Sequence, residues 1–354
     1  MDASQNRRIH SQTAAWPAAA SGGAPTLPDL PPEASHRRIA AVAHRIVHGG
    51  PDYSGPTRID SRALQAIESA SALAPLHNTQ ALSVVHAAMM RYPDLPQVAV
   101  FDTAFHHDLP AHARHYAVPA HWREQHGVRR FGFHGISHAS VARQAATVLQ
   151  HPLQELRLIT LHLGNGASAA AIAGGRCIDT SMGMTPMEGL VMGTRSGDLD
   201  IAAALLVARR EGLSLDELEH VLGQQSGLAG LCGDSDLRAI LARSEAGDTQ
   251  AEFALAVYSY RIQKYIGAYM AVLGGLDALV FTGGVGENAA AVRASVCTGL
   301  ESFGIAVDCH ENERRFSGQA RMIHTAGAAV AVLVAPADED LEIARQTQGA
   351  LSRR

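Results

Sequence analysis

Three times along this chain an apolar run of strand length stops at a polar turn that carries glycine. Ile39 to Val47 ends at His48-Gly49-Gly50, the run from Leu156 ends at Leu163-Gly164-Asn165-Gly166, and Asp277 to Thr282 enters Gly283-Gly284-Val285-Gly286-Glu287-Asn288. Short apolar runs bounded by glycine read as buried strands. Further strands are predicted over Gln97 to Asp102, within a hairpin over Leu156 to Cys177 that turns again at Gly174-Gly175, and over Ala328 to Val334. Helices are predicted between them. One covers Ser61 to Ser71, and one covers Thr79 to Arg91 after a loop at Pro75-Leu76-His77-Asn78. Asp198 to Arg210 has an acidic start and a basic end that suit the helix dipole. Ala251 to Leu273 places Phe253, Val257, Tyr258, Ile262, Tyr265, Ile266, Tyr269 and Leu273 at helical spacing. A last helix starts at Asp338-Glu339-Asp340. Strands alternating with helices imply an α/β protein.

At 354 residues and 47% apolar, the chain has material for two domains, each with its own core. Residues 1–36 are the exception. They are rich in Ala, Ser and Gly, with prolines at 17, 25, 28, 31 and 32, and cannot bury enough apolar surface to offset their ordering entropy. We expect them to be disordered, with order beginning near Arg38. A net charge of -5 gives no basic face for nucleic acid. The N-terminus lacks the continuous apolar core of a signal peptide. The longest apolar stretch, Ala326 to Ala337, is too short to span a bilayer. The four cysteines are scattered without a Cys-x-x-Cys pair, so a soluble protein of the reducing cytoplasm is expected. Of the nineteen histidines, His106, His107, His112 and His115 cluster without a partner ligand at metal spacing and read as solvated or packing residues.

Glycine lets backbone N–H groups approach an anion closely, so strand-end glycine turns can cradle phosphate. One such turn signals little; three beside polar residues point toward phosphate chemistry, although none matches the P-loop or dinucleotide fingerprint in full. Two arginines stand out. Arg45 interrupts an apolar strand, where a charge is costly unless paired, and it reads either as a structural ion pair or as an anion clamp. Arg195, in Met192-Gly193-Thr194-Arg195-Ser196-Gly197-Asp198, has glycines on both sides that clear room for a ligand. Asp102 ends a strand of the expected parallel sheet, where α/β ligand sites gather. His134 lies in the aromatic loop Phe131-Gly132-Phe133-His134-Gly135. Alone, either of these two could be a capping or packing residue.

Together these segments resemble acetate kinases. His44 to Gly50, Pro75 to Asn78, Phe101 to His106, Phe131 to Gly135 with Ser137-His138, His162 to Ser168, Asp179 to Asp198, Tyr260 to Gly267 and Phe281 to Asn288 appear in that family's order, over residues 38–347. The resemblance implies an actin-like ATPase (ribonuclease H-like) fold of two domains hinged around a nucleotide cleft. The first would be 37–102 with 338–354, and the second, nucleotide-binding one 103–337. It also implies transfer of a phosphoryl group from ATP to acetate with Mg2+ or Mn2+, in a homodimer, with no nucleic-acid or membrane partner. Arg45 and His77 would lie at the substrate. Asp102, His134 and Arg195 would be catalytic, and Glu339 would be the metal-linked glutamate. Nucleotide contacts would come from His162, Leu163, Gly164, Asn165 and Gly166, from Asp236, Leu237 and Arg238, and from Gly284, Val285, Gly286, Glu287 and Asn288. Propionate is the close alternative substrate, since one methylene is worth only about 1–3 kcal/mol of discrimination. Acetate is already ionised at neutral pH, with a pKa of roughly 4–5. Asp102 is therefore expected to orient metal-bound water or an arginine rather than to remove a proton.

The chain departs from the family at one place. Full-length members open with a strand and an Asn-x-Gly-Ser-Ser-Ser-x-Lys turn, and residues 1–44 contain no match to it. The expectation is a truncated first domain with an exposed sheet edge and much reduced acetyl phosphate formation. The rival reading from another class is a catalytically impaired relative that binds only nucleotide or a partner.

Overall fold

The computed structural model describes residues 39–352, together with Leu27. The disorder expected of residues 1–36 falls otherwise outside the described residues. The chain divides into two compact units. The first holds residues up to 107, then 133–137 and 338 onward; the second holds 108–132 and 138–337.

In the first unit β1 (Val42–Ile46), β2 (Thr57–Arg58) and β3 (Gln97–Phe101) form a sheet in the order β1-β3-β2, with β1 parallel and β2 antiparallel to β3. Among the described residues β1 pairs with β3 alone. Every residue of β3 is buried, because both faces are covered. Ala99 and Phe101 pack with Ile46, Ile67 and Val85, while Val98 and Val100 pack with Ile136 and with Ile343, Ala350 and Leu351 of the helix Glu339–Ser352. The side chain of Ile136 and a hydrogen bond from Gly135 N to Asp102 O (2.9 Å) draw 133–137 into this unit.

Three local expectations change here. Pro75 to Asn78 is not a loop but the first turn of the helix Pro75–Arg91. Proline suits that position, since its fixed φ is helical and its missing N–H would have no partner there. Arg45 is not sunk in a buried strand: β1 alternates, burying His44 and Ile46 while Arg45 faces outward. In the second unit Phe253 is 59% exposed, although the helix Thr249–Leu273 does bury Tyr258, Ile262, Ile266 and Tyr269.

Asn78 is fully buried and locks the first glycine turn in place. Its Oδ1 accepts from His48 N (3.1 Å), and its Nδ2 donates to His48 O (3.0 Å) and Ile67 O (3.3 Å). Asn78→Ala removes all three bonds inside the core and is expected to lower the unfolding free energy by about 2–3 kcal/mol. Urea titration checks this; a shift in midpoint worth less than about 1 kcal/mol would contradict it.

The second unit is built on a six-stranded sheet in the order β6-β5-β4-β7-β9-β8. β4 (Arg157–Leu163), β5 (Ala167–Ala173) and β6 (Arg176–Thr180) form an antiparallel meander. β4, β7 (Ala278–Thr282) and β9 (Ala331–Val334) run parallel, and β8 (Arg321–Met322) closes the edge antiparallel to β9. The segment Gly283–Asn288, expected as an open turn, is a short helix. Among the described residues no helix is long and apolar enough to cross a membrane.

Candidate active site

The first unit assembles an ionic cluster at the end of β3. Asp102 follows that strand directly, and its backbone is fixed by a bond from its N–H to Ile46 O (2.9 Å) and by the one from Gly135. A Cβ at Gly135 would run into the Asp102 carbonyl, so only glycine permits this approach. The Asp102 carboxylate is 1% exposed and grips Arg45, with Nη2 at 2.7 Å from Oδ2 and Nε at 3.2 Å from each oxygen. Arg45 Nη1 reaches Glu339 Oε2 at 3.1 Å. The cluster thus joins β1, the end of β3 and the start of the last helix.

Its electrostatics follow from this packing. The Asp102 charge above all holds the Arg45 guanidinium firmly protonated, with Glu339 and Asp340 adding to the effect. Burial lifts the Glu339 carboxyl above its ordinary value; Arg45 opposes that shift, and Asp102 and Asp340 reinforce it. With 40% of its side chain exposed, Arg45 can still meet a ligand.

His134 stands next to this cluster with φ +56°, a left-handed conformation that costs a non-glycine residue on the order of 1–2 kcal/mol. Such strain concentrates at functional positions. The neighbouring Phe133 is anchored through its carbonyl, 2.9 Å from His106 Nε2, and its ring meets His48 edge-on. His77 is exposed on the first turn of Pro75–Arg91.

The second unit gathers three backbone segments beyond the C-terminal ends of β4 and β7, whose registers align His162 with Thr282. The hairpin turn closes with Gly164 N to Gly166 O (3.0 Å). Gly193 N then donates to Asn165 O (3.0 Å), and a Cβ on Gly193 would strike the Asn165 side chain. Gly283 passes so close to Leu163 O that a Cβ there would clash with it. His162 to Gly166, the Arg195 loop and Gly283–Asn288 therefore form one neighbourhood of glycine backbone.

Arg195 contrasts with Arg45. Its Nη1 donates to Pro186 O (2.8 Å) and approaches Met192 Sδ (3.6 Å), and among the described residues no carboxylate pairs with it. Burial pushes its pKa below the ordinary arginine value. A largely desolvated cation without a counter-ion is unfavourable until an anion arrives, and a phosphate would satisfy it with charge-assisted bonds.

Other predicted contacts are engaged within the protein. Asp236 caps the helix Leu237–Glu245 and pairs with Arg238 (2.8 Å), which is 91% exposed. Glu287 accepts from Ala337 N (3.0 Å), and Asn288 donates to Gly284 O (2.9 Å). Sequence reading passed over Arg293, which is 2% exposed and donates to Gly286 O (2.9 Å), Glu287 O (3.1 Å) and Asn312 Oδ1 (2.7 Å), fixing the end of the Gly283–Asn288 helix. Burial lowers its pKa to about 10, which still leaves it charged at neutral pH. The signal for it was present, as the lone charge in the apolar run Ala290 to Cys297.

Comparison with known proteins bears on the same segments. The model of the acetokinase family matches residues 2–345. The acetate kinase of Streptomyces avermitilis is 53% identical over 309 residues, which is 87% of this chain and 76% of that protein. Among solved structures, an acetate kinase of Porphyromonas gingivalis superimposes with a TM-score of 0.85 at 44% identity, over 89% of this chain and 79% of its own. A propionate kinase of Francisella tularensis gives 0.82 at 40% identity, over 87% and 79%. The α/β architecture is thus that of the acetate kinases, the actin-like ATPase type expected from the motifs. With its sequence and its fold leading to the same relatives, this chain belongs to the acetokinase family.

Proposed function

We propose that the chain transfers the γ-phosphoryl group of ATP to acetate, reversibly, giving acetyl phosphate and ADP. The observation that carries this reading is the clamp on Arg45. A guanidinium held by buried Asp102 and by Glu339, yet partly open to solvent, is oriented to receive a small carboxylate. Both oxygens of Asp102 are engaged by Arg45, so of the two roles expected for it, orienting the arginine is the one its contacts favour. Since acetate carries no proton at neutral pH, no base is needed. Catalysis then rests on positioning and on cover for the phosphoryl oxygens, which we assign to Arg195 and His134. We place His77 on the substrate side, and the nucleotide against His162 to Gly166, Asp236 to Arg238 and Gly284 to Asn288.

Among the described residues no trio of His, Cys, Asp or Glu could hold a metal ion by itself. Mg2+ suits this arrangement, because it commonly keeps several waters and takes one or two carboxylates together with substrate phosphates. Glu339, which reaches Arg45 through Oε2, fits as that carboxylate. When bound, the metal would offset charge on the phosphates.

The likeness to a propionate kinase supports propionate as a second substrate. We further infer a homodimer, supported by Ile201 (75% exposed), Leu205, Leu206, Val207 and Leu215 (78%), which leave one region of the second unit strongly apolar. We place the protein in the cytoplasm, in keeping with four cysteines that form no disulfide among the described residues. Trapping of acetyl phosphate as its hydroxamate tests the reaction. Hydroxamate should require ATP, Mg2+ and acetate or propionate, and its absence with both acids at saturating levels would overturn the proposal.

A further inference from the structure

Among the described residues Arg195 has no acidic partner, and the Pro186 carbonyl is the oxygen that sets its direction. Pro186 lies between β6 and the helix Ile201–Glu211, in a stretch without regular secondary structure. That stretch is instead held by side chains from residues 116–130. Arg130 Nη1 donates to the carbonyls of Thr180 (3.0 Å), Ser181 (3.2 Å) and Met182 (3.0 Å), and its Nη2 pairs with Glu188 Oε1 at 2.6 Å. The Tyr116 hydroxyl donates to the other oxygen of Glu188 and accepts from Met184 N (3.0 Å).

These bonds bracket Pro186 two residues before it, at Met184, and two residues after it, at Glu188. Gly183 belongs to the same device, since a Cβ there would overlap both the Glu188 carboxylate and the Tyr116 hydroxyl. Burial above all raises the Tyr116 pKa, so the hydroxyl stays protonated and remains a donor. None of these residues takes part in the chemistry assigned above. Nor would packing alone call for a polar cluster of three side chains in which both donors, Tyr116 and Arg130, are aimed at the same short segment.

We infer that Tyr116, Arg130 and Glu188 are positioning residues for phosphoryl transfer, acting through the Pro186 carbonyl to aim the Arg195 guanidinium. The inference rests on the reading of Arg195 as the cation that covers the phosphoryl oxygens. A misplacement of about 1 Å can cost on the order of a hundredfold in rate, so a planar fork anchored on the Pro186 carbonyl depends on how well that carbonyl is held.

The test is a double-mutant cycle on the full chain, read by initial rates of acetyl phosphate formation. Tyr116→Phe should lower kcat about tenfold, with KM for acetate and ATP within about twofold, as expected when only the transition state loses an interaction. In an Arg195→Ala background the same substitution should have no further effect, because there is no guanidinium left to aim. Glu188→Gln, run through the same cycle, should behave likewise and serves if Tyr116→Phe does not fold by thermal melting. Equal falls in kcat in both backgrounds would show a merely structural role and overturn the inference. So would unchanged kcat in both Tyr116→Phe and Glu188→Gln. If Arg195→Ala itself left kcat intact, the reading of Arg195 would fail first, a result distinct from failure of the positioning cluster.

Discussion

Arg195→Ala is expected to lower kcat for acetyl phosphate formation by about a thousandfold, the scale at which a guanidinium stabilises a transferring phosphoryl group. The KM values for ATP and acetate should move far less, because the loss falls on the transition state. The same substitution should not lower the unfolding midpoint. Arg195 is largely desolvated and has no acidic partner among the described residues, so its charge opposes folding and its removal relieves that cost. Loss of activity without loss of stability is the signature of a residue kept for its ligand. Steady-state kinetics and thermal melting check both halves. A variant that melts much earlier and loses activity in proportion would make Arg195 a structural residue instead.

Asp102→Asn should act on the other side of the reaction. The amide oxygen can still accept from Arg45, but its NH2 group meets a guanidinium that only donates. Truncating one partner of a buried charge pair costs about 2–5 kcal/mol. The Arg45 side chain is 40% exposed and can recover part of that from water, so the lower end applies. We expect kcat/KM for acetate to fall by about a hundredfold, mostly through KM, with the shape of the pH profile preserved. If KM for acetate held steady while kcat collapsed and an acidic limb of the wild-type profile vanished, Asp102 would instead be a proton-transfer group.

How much of this was legible beforehand varies with the physics of each residue. The strands β4 and β7 and the glycine turn after β4 were readable because strand length, apolar content and glycine are all local properties, whereas Gly283–Asn288 after β7 closed into a short helix. The helix Thr249–Leu273 was readable because its period persists over many turns. Pro75 misled because proline both breaks and opens helices, and the choice depends on what precedes it. The partners of Arg45 could not be read from spacing. Asp102 and Glu339 reach it only because β1 lies beside β3 and the last helix packs across Val98 and Val100. The role of Arg293 was hidden for a similar reason, since its chief partner, Asn312, belongs to a separate short helix.

The last helix gives the clamp a temporal dimension. Synthesis proceeds from the N-terminus, and domains fold as units while the chain emerges. Every strand of the second unit precedes Asp338, so its sheet can be complete before the ribosome reaches the helix Glu339–Ser352. The first unit cannot finish so early. One face of β3 waits for Ile343, Ala350 and Leu351, and Arg45 waits for Glu339, across nearly the whole chain. Contacts between such distant segments are slow to form, because closure entropy is met before any contact offsets it. A nascent chain stalled just short of Asp338 would thus carry all the glycine-bearing segments but neither a fully covered β3 nor the ion pair between Arg45 and Glu339, and both would arrive with the final helix.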